Sequence, residues 1–258
     1  YWGGGRVAAL VHSTPGGAED LVPPQNVRFY FLAGTQHGPG PFPPPPAGRG
    51  QEMGNPTDYW WNMRALLLAL KDWVVDGVEP PVSQHPRFAD RNLVPPMELA
   101  FPAIPGVRSP KDRKAGTRVA NPWLDGRNGT DAGQDMPMFV PQVNADGNET
   151  SGIAHPEVAV PLATYTGWNF ANPDQGDPDT LVALAGSYIP FLPTAAQRER
   201  ANDPRASIEE RYTSREEFLT KVEAAGRELI GGRYLLEDDL TQIVDRAAAH
   251  WDLLMGGN

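Results

Sequence analysis

An apolar run from Val27 to Ala33, interrupted only by Arg28, breaks at Gly34 and is followed three residues later by His37. Val27, Phe29, Tyr30, Phe31 and Leu32 are residues that favour a strand, and their density predicts one that is buried in a twisted sheet. Gly34 and Gly38 allow the sharp turn that follows. A histidine in such a turn leaves the carboxyl end of a strand, where open α/β sheets hold their sites. Imidazole titrates near neutrality, so a histidine placed there can move protons. The competing reading is a surface histidine in a Gly/Pro-rich loop.

The neighbouring text extends the pattern on both sides. Val7 to His12 reads as a second short strand, followed by the acidic turn Gly16-Gly-Ala-Glu-Asp20. Downstream, Trp60, Met63, Leu67, Leu70 and Val74 recur at helical spacing within residues 59–76, and Leu66 and Trp73 widen the face. Gly77 stands where a helix would end. The order is therefore strand, acidic turn, strand, histidine turn, closing helix. It matches the last part of a Ser–Asp/Glu–His triad in α/β-hydrolase chain order.

Longer segments carry a resemblance. NVRFYFLAGTQHG, RALLLALKDWV, FPAIPGV, EVAVPLATYTGWN and DPRASIEERY occur in this order between Asn26 and Tyr212. Together with the opening Tyr-Trp, they resemble the bacterial "alpha/beta hydrolase domain" family of predicted esterases, from Tyr1 to about Trp251. The resemblance implies an α/β fold in three regions. Residues 1–80 would be the C-terminal part of a hydrolase sheet, 81–175 a proline-rich loop and β-hairpin region, and 176–258 helices packed on the core. It also implies a serine carboxylic-ester hydrolase that needs no cofactor or metal, acts on a small-molecule ester and is exported to the periplasm or beyond. In that reading His37 is the general base and Asp20 the acid that orients it. The family also carries a glutamate immediately before the Tyr-Trp pair, and that residue is the other reading of the acid. Gln36 beside the base, and Tyr165 and Trp168 in the aromatic turn Tyr165-Thr-Gly-Trp-Asn169, would contact substrate. Tyr165 and Trp168 read equally as hydrophobic plugs of an irregular layer.

The nucleophile is missing from the text. No Gly-x-Ser-x-Gly elbow surrounds Ser13, Ser83, Ser109, Ser151, Ser187, Ser207 or Ser214, and the chain has no cysteine. The expectation is that the serine comes from an N-terminal portion of the same protein or from a companion chain. The strand edge along Val27–Ala33 and one face of the 59–76 helix should then be uncovered. The alternative from another class is a non-catalytic binding or assembly subunit with a hydrolase-like half.

Composition narrows the field further. A net charge of −10 over 258 residues argues against a nucleic-acid partner, and no apolar run approaches membrane-spanning length. Runs such as Pro39-Gly-Pro-Phe-Pro-Pro-Pro-Pro46 exclude regular elements. Met138–Val143 and Ile153–Ala163 flank Asn144-Ala-Asp-Gly-Asn148 and predict a hairpin. The glycine in that turn is misplaced for a calcium loop. Ser214 and Glu217 form a capping box ahead of Phe218, Val222, Ala225 and Leu229, with Gly231-Gly232 as a stop. A second helix is predicted over 237–255, and the pair should pack antiparallel on the core. His12, His85, His155 and His250 lack zinc-site spacing and read as packing or surface residues.

Overall fold

The computed structural model describes residues 1–2, 12–14, 19–112 and 138–256. Most of the expected strand over Val7–His12 lies outside the described residues. His12 itself sits in a turn that Leu21 closes by donating its amide to the His12 carbonyl at 2.8 Å.

Proline and glycine decide how much ladder can form. A proline offers no donor to a sheet, and with 28 of them the strands of the described residues stay short. β1 (Met53–Gly54), β4 (Ala163–Tyr165) and β5 (Ser187–Pro190) make an antiparallel sheet in the order β1-β5-β4, with Tyr188 of β5 opposite both Met53 and Tyr165. β2 (Leu93–Val94) and β3 (Val140–Pro141) form a separate antiparallel pair.

The 27–33 run is extended but does not become a buried ladder strand. It makes two isolated parallel bridges, Tyr30 to Gln84 and Leu32 to Ile153. Phe29, Phe31 and Ala33 supply all of its backbone bonds to those segments, at 2.7–3.0 Å. On the opposite edge the amides of Tyr30 and Leu32 have no backbone partner among the described residues. The run's side chains are half-buried except that of Ala33. The physical cause is the neighbours: Pro80, Pro81 and Pro86 flank one bridging segment and Gly152 the other, so neither can extend the pairing.

Helix α1 (Trp60–Asp76) forms where the periodicity places it. Gly77 ends it in the left-handed region, φ 69°, and donates its amide back to the last turn. Its buried residues, however, are Asn62, Ala65 and Ala69, whereas Met63, Leu67, Leu70 and Val74 point to solvent. The small-residue face packs on the domain, and the large apolar face is uncovered as expected. With Tyr30 and Trp73 it walls a groove of about 580 Å³.

The hairpin expectation needs correction. Asn144 to Asn148 do close a tight turn, with Gly147 at φ 81° and the Asn144 side chain accepting the amides of Asp146 and Asn148 at 3.0 Å. Val143 then bridges Glu149, but the arms part there. Val140 and Pro141 pair with β2, and the 153–163 stretch turns through α2 (Pro156–Ala159).

Of the region expected to be helical, 176–258, residues Ser187–Pro190 form β5 instead, and helices follow only from Ala195: α3 (Ala195–Ala201), α4 (Ile208–Arg211), α5 (Arg215–Gly231) and α6 (Leu240–Met255). A 3-10 turn over Glu237–Asp239 precedes α6. Phe218 and Val222 of α5 pack with Ile243 and Trp251 of α6 around Leu162, Phe191 and Ile208 to form the largest core. The Ser214 box is half made. Ser214 Oγ accepts the Glu217 amide at 3.1 Å, but the Glu217 carboxylate turns to Thr213 and Lys221. Complete boxes occur instead at Thr194/Gln197 and Ser207/Glu210.

Buried side chains replace the missing ladder bonds. Asn148 donates to the Ala163 carbonyl at 3.0 Å and accepts the Tyr165 amide at 2.8 Å, lying along β4 as a neighbouring strand would. Asn169 accepts the Glu52 amide and donates to the Glu52 and Gly186 carbonyls. Arg205, with its side chain 2% exposed, bonds Asp203, Thr164 and the Ile189 and Pro190 carbonyls. Burial by itself raises the Asp203 carboxyl, and the hydrogen bonds from Arg205 outweigh that and hold it below its ordinary value. Asn55, fully buried, donates to the Gly34 and Thr166 carbonyls at 2.8 and 2.9 Å and accepts the Thr57 amide at 2.9 Å. Asn55→Leu keeps the volume and orphans three backbone groups. At about 1–3 kcal/mol per orphaned group, urea denaturation should register a loss of at least about 3 kcal/mol.

Candidate functional site

The turn that carries His37 is pinned by hydrogen bonds to the Gly34 backbone, the Thr35 and Gln36 side chains and the His37 carbonyl. Gly34 takes φ 66°, and a Cβ there would approach both Val158 γ-carbons at 3.1 Å, so only glycine fits without strain. Its amide donates to Glu149 Oε2 at 2.6 Å and its carbonyl accepts from Asn55 at 2.8 Å. Thr35 Oγ1 donates back to the Leu32 carbonyl at 2.7 Å, and Gln36 Oε1 accepts the Gly186 amide at 2.8 Å. The Tyr59 hydroxyl donates to the His37 carbonyl at 2.5 Å. Against this fixed backbone the His37 side chain is exposed, and no hydrogen bond engages its imidazole among the described residues.

The imidazole borders a cavity of about 230 Å³ whose wall also includes Tyr1, Trp2, Phe31, Gln36 and Glu149. Tyr1 and Phe31 meet edge to face at 5.1 Å. Trp2 is backed by Trp168 at 6.0 Å, which itself packs against Phe101 and Phe170. Glu149 is the carboxylate of this cavity. Burial pushes its carboxyl up to about 7, against the opposing pull of the Gly34 amide. It can therefore hold or release a proton near neutrality. Sequence reading missed it because a glutamate just past a turn carries no periodic or motif signal; its position opposite Val143 in a closed turn is visible only after folding.

Among the described residues no hydrogen bond or ion pair joins Asp20 to His37. Both Asp20 oxygens accept backbone amides, from Phe88 and Ala89 at 2.9 Å each, and Arg87 stands 3.7 Å away. Asp20 caps that turn, and it is not part of the His37 cavity wall. Gln36 borders the cavity, with its oxygen spent on Gly186. Tyr165 and Trp168 do not: Tyr165 is fully buried in β4 beside Tyr188, and Trp168 lies in the aromatic cluster behind Trp2. The aromatic residues that line the cavity are Tyr1, Trp2 and Phe31. For Tyr165 the cause is the short strand β4, which draws it into the sheet.

The other histidines are packing residues. His12 is buried, contacts the Tyr1 hydroxyl and stacks on His85 at 4.6 Å. Burial, assisted by His85, pulls it down to about 4. His155 and His250 are also buried, the first stacked on Trp61 at 5.4 Å. Among the described residues no cluster of three or more His, Asp or Glu could hold a metal ion, and no helix is long and apolar enough to cross a membrane.

A family model described as "Alpha/beta hydrolase domain" matches residues 10–245. Comparison with curated proteins and with solved structures gives no match.

Two consequences follow from the two carboxylates. A carboxyl raised in the folded state stabilises the fold below its unfolded value of 4.5 and loses that contribution as pH rises through about 7. The urea midpoint of Glu149→Gln should therefore gain on the wild type between pH 4.5 and 7, and run parallel to it outside that window. Asp20→Asn should cost about 1 kcal/mol of stability, the effect of a weakened turn cap.

Proposed function

Because the chain belongs to the alpha/beta hydrolase domain family, we propose that it is the histidine-bearing part of a serine carboxylic-ester hydrolase. The nucleophile would be delivered by polypeptide outside these 258 residues. The observation that carries the reading is a single arrangement: a rigid turn holds an imidazole free at the rim of a cavity with aromatic walls and one titratable carboxylate. Aromatic walls with convergent polar groups are a combination that small-molecule sites use.

In the proposed reaction His37 takes the proton of a serine hydroxyl as the serine oxygen attacks the ester carbonyl. The tetrahedral intermediate collapses with proton return from the imidazolium to the departing alkoxide, leaving an acyl-enzyme. Water then repeats the sequence in reverse roles and releases the acid. Backbone amides near the incoming serine would bind the oxyanion. Of the two carboxylates, Glu149 lies in the cavity wall with His37, whereas Asp20 is occupied by two amides. The incoming polypeptide has a place to attach. Among the described residues the amides of Tyr30 and Leu32 have no backbone partner and would serve strand pairing, and the apolar face of α1 nearby offers area to bury.

The uncovered α1 face favours a second reading as well, that of a binding or assembly subunit without catalysis. Hydrolysis of a short-chain p-nitrophenyl ester by the full product of the gene separates the two. His37→Gln should leave the urea midpoint unchanged, because the side chain is exposed, and lower turnover by at least about 100-fold. Absence of turnover in the wild type, or a His37→Gln variant that keeps more than about a tenth of it, would favour assembly.

A further inference from the structure

We infer that a second, smaller cavity, between α2, β4 and α6, is the binding site of a single buried water molecule that joins these elements. The cavity measures about 10 Å³, room for one water. Among the residues that line it are His155, Glu157, Tyr165, Arg246 and His250. Five buried polar atoms around it make no hydrogen bond of normal geometry among the described residues: both Glu157 oxygens, which have only His250 Nδ1 at 3.4 Å and Arg246 Nε at 3.8 Å beside them, His155 Nε2, the Tyr165 hydroxyl and Arg246 Nε itself. A buried polar group left alone costs about 1–3 kcal/mol, more if charged. His155 Nε2 and the Tyr165 hydroxyl, which lack even a long ionic contact, therefore call for a partner that Glu157 and Arg246 can share.

The network dictates the character of that partner. Asn62 Nδ2 donates to the Tyr234 carbonyl at 2.9 Å, so Asn62 Oδ1 faces His155 Nδ1, 2.9 Å away, as an acceptor. The His155 proton must then sit on Nδ1, and Nε2 offers a lone pair. Burial agrees, pulling His155 down to about 4 and keeping it neutral. Glu157 adds two acceptor oxygens. Burial alone raises its carboxyl, but His250, at 3.4 Å, and the nearby Arg246, at 3.8 Å, outweigh that and hold it ionised. The donors are the Tyr165 hydroxyl and Arg246 Nε. A guest must therefore give two hydrogens, to Glu157 and His155, and accept from Tyr165 or Arg246. Water does this with its usual set of two to four bonds. A cation is disfavoured because Arg246 already balances Glu157.

The sign of a stability change tests the proposal. If water bridges Tyr165, then Tyr165→Phe removes a hydrogen bond at constant volume, and Tm should fall by about 2–4 °C. If no water is there, the same substitution deletes an orphaned hydroxyl, and Tm should stay level or rise. The wild-type protein supplies a second readout. Val222 and Ile243 line the cavity and are buried from bulk solvent, so their methyl groups should show NOEs to a long-lived water. A crystal structure should show a density peak within hydrogen-bonding distance of Glu157 and His155 Nε2. Silent methyls, or side chains collapsed directly onto one another with no peak, would overturn the inference.

Discussion

A chain this rich in proline and glycine cannot satisfy its interior backbone with ladders, and everything else in the fold depends on how it does so instead. Asn55, Asn148, Asn169 and Arg205 lie buried and bond main-chain groups that a longer strand would have paired. An amide side chain suits this task because it offers a donor and an acceptor in one plane, as a peptide does. Asn148 takes both roles along β4, bonding residues two apart just as an adjacent strand would. The core helices α5 and α6 can then pack on a sheet only a few residues wide.

The same device builds the candidate site. Asn55 and Glu149 grip opposite sides of the Gly34 peptide region, and the turn between them is fixed before any ligand arrives. Preorganisation of this sort removes the cost of ordering a loop at the moment of binding. Asp20 and Glu149 differ in what surrounds them. Asp20 is satisfied by two backbone amides and serves as a turn cap. Glu149 has one amide and a mostly apolar setting, so its charge is expensive and responsive to what enters the cavity.

Local signals in the sequence reach as far as local physics allows. The span of α1, its Gly77 terminus, the α5 start at Ser214 and the α6 stripe are all readable, because capping and periodicity act within a few residues. The histidine turn is readable for the same reason. Periodicity identifies the large apolar face of α1, but not that the helix packs on the domain through Asn62, Ala65 and Ala69 on its other side. The 27–33 run was legible as extended, but its isolation depends on the prolines of segments far along the chain. Glu149 and the buried asparagines were invisible, since each acts through partners tens to more than a hundred residues away. Tyr165 and Trp168 read two ways, and strand β4 and the aromatic cluster behind Trp2 chose packing.

Reliance on side-chain amides also sets a chemical clock. Asparagine is among the thermolabile residues, and its conversion to aspartate would turn a donor into a negative acceptor. At Asn55, Asn148 or Asn169 the new charge would face the carbonyl oxygens that the amide serves now. Such an event cannot be undone by refolding. Prolonged warm storage would therefore destabilise this fold through covalent ageing of a few interior positions, with each transient opening of the fold advancing the damage.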